Sequence, residues 1–120
     1  MSAVIGVVDD DSSVLRALTR LLGTAGFTVR TFGSAEAFLA QDHSGIDCLL
    51  LDVHLGGLSG FDVQERLVGA HASIPIIFIT AFDDPVTRER ALKGGAVAYL
   101  PKPFDEQSLL GAIESALGRG

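Results

Sequence analysis

Side chains able to handle a cation and a phosphoryl group sit at the ends of short apolar runs in this chain. Asp9, Asp10 and Asp11 follow the run 3–8, Asp52 lies at the end of the run 46–53, Thr80 closes the run 74–80, and Lys102 follows the run 97–100. If these runs are neighbouring strands, Asp9, Asp10 and Asp52 come close together. Carboxylates that close raise one another's pKa and cost stability unless something neutralises them. A hard divalent cation does so, and Mg²⁺ binds through few carboxylates and keeps several waters. Lys102 adds positive charge from another side. This inventory suits phosphoryl transfer, where catalysis is mostly positioning and electrostatic stabilisation. The cation would meet one phosphoryl oxygen, Lys102 a second, and the Thr80 hydroxyl or backbone N–H groups a third. Asp52 is the candidate nucleophile, because a carboxylate can form an aspartyl phosphate, and the apolar stretch Leu49-Leu50-Leu51 before it should hold it rigidly.

The elements that would position these groups alternate along the chain. Apolar runs at 3–8, 27–32, 46–53, 74–80 and 97–100, most of them rich in β-branched residues, are short for helices and suit buried strands. Between them, apolar residues recur three and four apart, as at Val14, Leu18, Leu21 and Leu22, and again at Leu109, Leu110, Ile113 and Leu117. Ser12 or Ser13 is expected to cap the first helix and Gly26 to stop it. Ser34 caps a second helix running to about Asp42, and Ser59 a third ending near Gly69. Pro85 suits the first turn of a fourth helix stopped by Gly94 and Gly95, and Asp105 caps a fifth. Such alternation predicts an α/β fold: a flavodoxin-like, doubly wound five-stranded parallel sheet in the order 2-1-3-4-5 with five helices. In that architecture the crevice outside the carboxyl ends of the strands is the functional one, and the acidic, hydroxyl and lysine side chains converge there.

Composition narrows the function classes. The 120 residues fit one domain, expected to span 1–120, and 48% hydrophobic residues suffice for a core. A net charge of −6 argues against a nucleic-acid or anionic-membrane surface. One cysteine, Cys48, excludes an internal disulfide and reads as a buried small hydrophobe. No basic segment leading into an apolar run opens the chain, and no apolar stretch nears the roughly 18 residues of a membrane span. The expectation is a cytoplasmic protein.

The stretches Val7-Val8-Asp9-Asp10-Asp11, Leu50-Leu51-Asp52, Leu58-Ser59-Gly60, Ile79-Thr80-Ala81 and Tyr99-Leu100-Pro101-Lys102-Pro103-Phe104 resemble, together and in order, the receiver domain of two-component response regulators. The resemblance runs from Val4 to about Leu117. Ser34-Ala35-Glu36-Ala37-Phe38-Leu39 and Lys93-Gly94-Gly95-Ala96-Val97 further resemble receivers of nitrogen-fixation-type transcriptional regulators. The resemblance implies a CheY-like fold and assigns roles. Asp52 is the acceptor of a phosphoryl group from a phosphohistidine on a sensor histidine kinase. Asp9 and Asp10 hold Mg²⁺, with Asp10 expected as the direct ligand and Asp9 acting largely through water, and the backbone carbonyl of His54 is another ligand. Thr80 is the switch hydroxyl, Tyr99 the aromatic that follows it, and Lys102 the phosphate-pairing lysine, with a cis Lys102–Pro103 bond. Phosphorylation would rearrange the surface of helix four, strand five and helix five, with dimerisation of two copies as one possible consequence.

Two departures stand out. Many receivers carry proline four residues after the acceptor, where this chain has Gly56 and then Gly57, which should loosen the loop after strand three. Phe82, two residues after Thr80, is bulky and, with His54, is expected to flank the water's access to the phosphate. Other readings are weaker. The Asp9–Asp11 run alone could be a helix N-terminus, and Tyr99 alone could be a packed aromatic with its hydroxyl bonded at the surface. A flavodoxin-like cofactor binder would not place three aspartates where a phosphate must sit. A phosphatase with an aspartate nucleophile would carry Asp-x-Asp, where this chain has Asp52-Val53-His54. A degenerate receiver acting only as an interaction module would not keep Asp9, Asp10, Asp52, Thr80 and Lys102 all in place.

Overall fold

The computed structural model describes residues 2–118. Five strands, β1 (Val4–Val8), β2 (Thr28–Phe32), β3 (Cys48–Asp52), β4 (Ile76–Thr80) and β5 (Ala98–Pro101), alternate with five helices, α1 (Ser12–Thr24), α2 (Ala35–Leu39), α3 (Gly60–Gly69), α4 (Pro85–Lys93) and α5 (Glu106–Ala116). All strand pairs are parallel and the order is β2-β1-β3-β4-β5. The predicted topology is therefore the observed one.

Side-chain alternation along the strands divides the core between the two faces of the sheet. Leu49, Leu51 and Phe78 pack with Phe38 of α2, Phe61, Val63 and Leu67 of α3 and Ala91 of α4. Cys48, Leu50, Ile77 and Ile79 pack on the opposite side with Leu18 and Leu22 of α1 and Leu109 and Ile113 of α5. Strands β3 and β4 are buried at every position. That explains why they read as unbroken apolar runs rather than alternating ones. Cys48 is free and buried, and burial pushes its thiol pKa up to about 12.

Element ends differ from the sequence reading in informative ways. Helix α1 is capped by Asp11, not by Ser12 or Ser13: the Asp11 carboxylate accepts hydrogen bonds from Ser13 N at 2.9 Å and Ser13 Oγ at 2.6 Å. These bonds hold its carboxyl below the usual range. The helix N-terminus reading thus holds for the third aspartate of the run. Helix α2 stops at Leu39, short of Asp42. The chain turns there instead, with Ser44 N donating to the Asp42 carboxylate at 3.0 Å and Arg30 donating to the Asp42 carbonyl at 3.1 Å. Helix α3 begins in a capping box between Ser59 and Asp62. Asp84 caps α4 ahead of Pro85, and Asp105 caps α5 as expected.

Candidate functional site

Strand register sets the site. Val8 pairs with Leu51 across β1 and β3, so the residues that follow, Asp9 and Asp52, leave neighbouring strand ends side by side. Asp52 pairs with Ile79 on its other flank, and Thr80 with Pro101, which brings Lys102 to the same edge. Lys102 N donates to the Thr80 carbonyl at 2.6 Å, and the Lys102–Pro103 bond is cis. Behind Asp52 the start of α3 presses so close that a Cβ on Gly60 would stand 2.3 Å from the Asp52 carbonyl oxygen. Only glycine permits this approach, and Gly60 N closes the loop by donating to the Val53 carbonyl at 3.0 Å.

The ammonium of Lys102 lies between two carboxylates, 2.7 Å from Asp9 Oδ2 and 3.4 Å from Asp52 Oδ2. Asp9 is fully buried, and its other oxygen accepts from Asp11 N at 2.9 Å. Asp52 is 6% exposed, and its Oδ1 accepts from His54 N at 3.2 Å. Asp10 is exposed. Carboxylate oxygens of Asp9, Asp10 and Asp52 lie within 4.8 Å of one another, the one such cluster among the described residues. Burial first, and the Asp9 charge second, raise the Asp52 carboxyl to about 6, against the opposing pull of Lys102. Burial works to lower the pKa of Lys102, yet the hydrogen bond to Asp9 and the charges of Asp52 and Asp9 outweigh it, and the net shift is upward.

This donor set fits a hard divalent cation. Only oxygen ligands are offered, one carboxylate is open to solvent, and the single lysine leaves the cluster with surplus negative charge. Asp9 already has both oxygens engaged, whereas among the described residues no hydrogen bond ties down the Asp10 carboxylate. Asp10 is thus the carboxylate of the three that a cation could meet without displacing a hydrogen bond.

Thr80 and Tyr99 lie apart from this cluster's hydrogen bonds. Thr80 is fully buried, but its hydroxyl turns to the loop before α4, accepting from Phe82 N at 3.0 Å. Tyr99 is 5% exposed and sits in the core with Phe78 and Phe61, and among the described residues its hydroxyl makes no hydrogen bond of good geometry. The hydroxyl faces Asp83 in the loop before α4. Burial, and then nearby Asp83, raise its pKa, while the Arg88 guanidinium stands over the ring at 5.5 Å. His54 and Phe82 do meet: their rings make an edge-to-face contact with centroids 5.2 Å apart, and Phe82 is 67% exposed. His43, away from the cluster, stacks on Phe38 with ring centroids 4.7 Å apart.

Sequence reasoning missed one residue beside the site. Glu36 of α2 accepts from Leu58 N at 3.3 Å, and a Cβ on Gly57 would stand 2.3 Å from Glu36 Oε2. The contact joins residues 22 apart, so no local spacing signals it.

Residues 5–114 match the response regulator receiver domain. Nodulation protein W of Bradyrhizobium diazoefficiens is 47% identical over 118 residues, 98% of this chain and 52% of that protein. The transcriptional regulatory protein FixJ of the same organism is 38% identical over 94% of this chain and 56% of its own length. The crystal structure of FixJ-N superposes with a TM-score of 0.90 at 32% identity, covering 100% of this chain and 97% of that one. The chain spans about half the length of the curated relatives it matches. Among the described residues, no helix is long and apolar enough to cross a membrane. A parallel sheet in the order 2-1-3-4-5, an acidic cluster at its carboxyl edge and these matches agree: the chain belongs to the receiver domains of two-component response regulators, with transcriptional regulators among its relatives.

Proposed function

We propose that Asp52 accepts a phosphoryl group from the phosphohistidine of a sensor histidine kinase in the cytoplasm, with Mg²⁺ held by Asp10, Asp9, Asp52 and the His54 carbonyl. The observation that carries this reading is the buried Asp52, raised to about 6, beside the Lys102 ammonium and within a cluster of three carboxylates. A raised carboxyl still ionises at neutral pH and attacks as the carboxylate. An Asp52 oxygen forms the new bond to phosphorus as the phosphorus–nitrogen bond of the donor breaks, and the departing imidazole takes its proton from solvent. Lys102 pairs with the incoming phosphoryl oxygens, and bound Mg²⁺ would supply further charge neutralisation. The chain's chemistry is limited to its own phosphorylation and dephosphorylation. Incubation with acetyl phosphate and Mg²⁺, read by intact mass, is expected to add one phosphoryl unit to the wild type and none to Asp52→Asn. Equal uptake by both proteins, or none by either, contradicts the proposal.

The new charge biases a two-state surface. Thr80 would leave its bonds with the Phe82 backbone to reach the phosphate, coupling the site to Tyr99 and to α4, β5 and α5. Val86, Leu92 and Val97 expose 76%, 44% and 51% of their surface on α4 and ahead of β5. A second copy covering them after phosphorylation is the proposed homodimer. Sedimentation with and without beryllofluoride checks it, and a monomer in both conditions contradicts it. The site itself reads no nucleic acid, so control of transcription would pass through other parts of a longer protein.

His54 and Phe82 form the wall proposed to limit water's access to the phosphate. The edge-to-face contact holds the two rings together while Phe82 stays 67% exposed, so the pair stands at the surface rather than in the core. His54→Ala and Phe82→Ala are each expected to shorten the phosphate's half-life several-fold by opening that side. The decay of phosphoprotein after donor removal measures this, and two unchanged half-lives refute it.

A further inference from the structure

The loop from Val53 to Gly60 passes beside the carboxylate cluster, and a Cβ on Gly56 would lie 3.9 Å from Asp10 Oδ2. Consecutive glycines and no proline should leave this loop mobile. Yet it is tied at both ends of its course. Gly60 N donates to the Val53 carbonyl at its base, and Leu58 N donates to Glu36 Oε2 near its tip. The carboxylate of Glu36 lies over Gly57 itself: a Cβ there would stand 2.3 Å from Oε2, 3.2 Å from Oε1 and 3.1 Å from Cδ. Any side chain at position 57 would push Glu36 off. The backbone of Glu36 is held in α2, whose N-cap Ser34 accepts from Ala37 N at 3.0 Å.

We infer that Glu36 is a positioning residue for the cation and phosphoryl site. Its carboxylate clamps the glycine loop after β3, and Gly57 is small so that the clamp can close. The clamp does for this loop what a proline would do by fixing φ: it removes conformations in which the His54 carbonyl and the backbone beside Asp10 are misplaced. The inference rests on the proposed reading of the site, because it assigns the loop to cation binding. Residues outside a ligand set that orient it commonly change metal affinity ~10-fold or more when replaced. Glu36 is exposed and, among the described residues, its carboxylate accepts one hydrogen bond, at 3.3 Å, so a smaller effect, roughly three- to tenfold, is expected.

The test is a Mg²⁺ titration followed by calorimetry, with amide hydrogen exchange of residues 54–59 measured on the same metal-free proteins. Glu36→Ala and Gly57→Ala attack the clamp from its two sides. Each is expected to weaken Mg²⁺ binding and to speed exchange in the loop, while the midpoint of thermal unfolding moves little. The double variant should bind no more weakly than the worse single one, because both remove the same contact. Glu36→Gln, which keeps an oxygen acceptor, should recover most of the affinity. Unchanged affinity and exchange in both single variants overturns the inference, as do fully multiplicative losses in the double variant. If the wild type itself binds no Mg²⁺, or binds it equally well as Asp10→Asn, the reading of the site fails instead. Loop exchange still decides whether the clamp exists.

Discussion

Asp52→Asn is expected to stabilise the metal-free domain at pH 7 by about 1–3 kcal/mol. The Asp52 carboxyl moves from 3.8 to about 6 on folding, so the folded chain holds that proton more tightly than the unfolded one. Above pH 6 the group is ionised in both states, and the folded state carries the whole cost of burying it beside Asp9. As pH falls through 6 the folded state takes up a proton, and the cost shrinks; below 3.8 both states are protonated and it vanishes. The gain from Asn therefore appears above pH 6 and disappears toward pH 4. About two pKa units correspond to about 3 kcal/mol as an upper bound, and solvent reaching the crevice lowers it. Urea unfolding of both proteins at pH 7 and pH 4 measures the difference. Mg²⁺ should narrow the gap at pH 7 by stabilising the wild type more. A variant less stable than the wild type at pH 7 without metal would show that Asp52 is a structural partner rather than a surplus charge.

Lys102→Met should act in the opposite direction. It keeps the length of the aliphatic stem but removes the ammonium from between Asp9 and Asp52. Asp9 is fully buried, and breaking a buried pair by deleting one partner costs about 3–5 kcal/mol. The loss is expected to be large at pH 7, to fade as Asp52 protonates below about pH 6, and to be partly reversed by Mg²⁺. Phosphoryl uptake from acetyl phosphate should fall by about 10²–10³, the usual cost of deleting one charge-stabilising donor. Chemical denaturation across pH 4–7, beside single-turnover uptake, separates the two effects. A stability loss that is the same at every pH would assign Lys102 to packing.

The positions of the main groups were legible because each lies at the end of a strand whose apolar run is unmistakable. Leu49-Leu50-Leu51, in a short apolar run between turn signals, reads as a strand buried on both faces, and its end places Asp52 at the carboxyl edge of the sheet. The same logic placed Asp9, Thr80 and Lys102. What the sequence could not disclose is where short polar side chains turn once they arrive. Asp9, Asp10 and Asp11 are identical in type, yet one is buried on Lys102, one faces solvent and one caps α1. Thr80 reaches the right strand end but bonds to the Phe82 backbone, a rotamer choice with no local signature. The double glycine promised a loose loop because local entropy was all the sequence displayed. The restraint comes from Glu36, 22 residues away on α2, a helix that the sequence reading carried too far, to about Asp42.

Trapping the acyl phosphate with borohydride locates the acceptor directly. Hydride reduces an aspartyl phosphate to homoserine and releases phosphate, leaving a permanent mark at the modified position. After treatment with acetyl phosphate and Mg²⁺, peptide mass spectrometry should find homoserine at position 52, with none at positions 9, 10 or 11. Homoserine at one of those positions, or at no aspartate in a sample that gained phosphoryl mass, would contradict Asp52 as the phosphoacceptor.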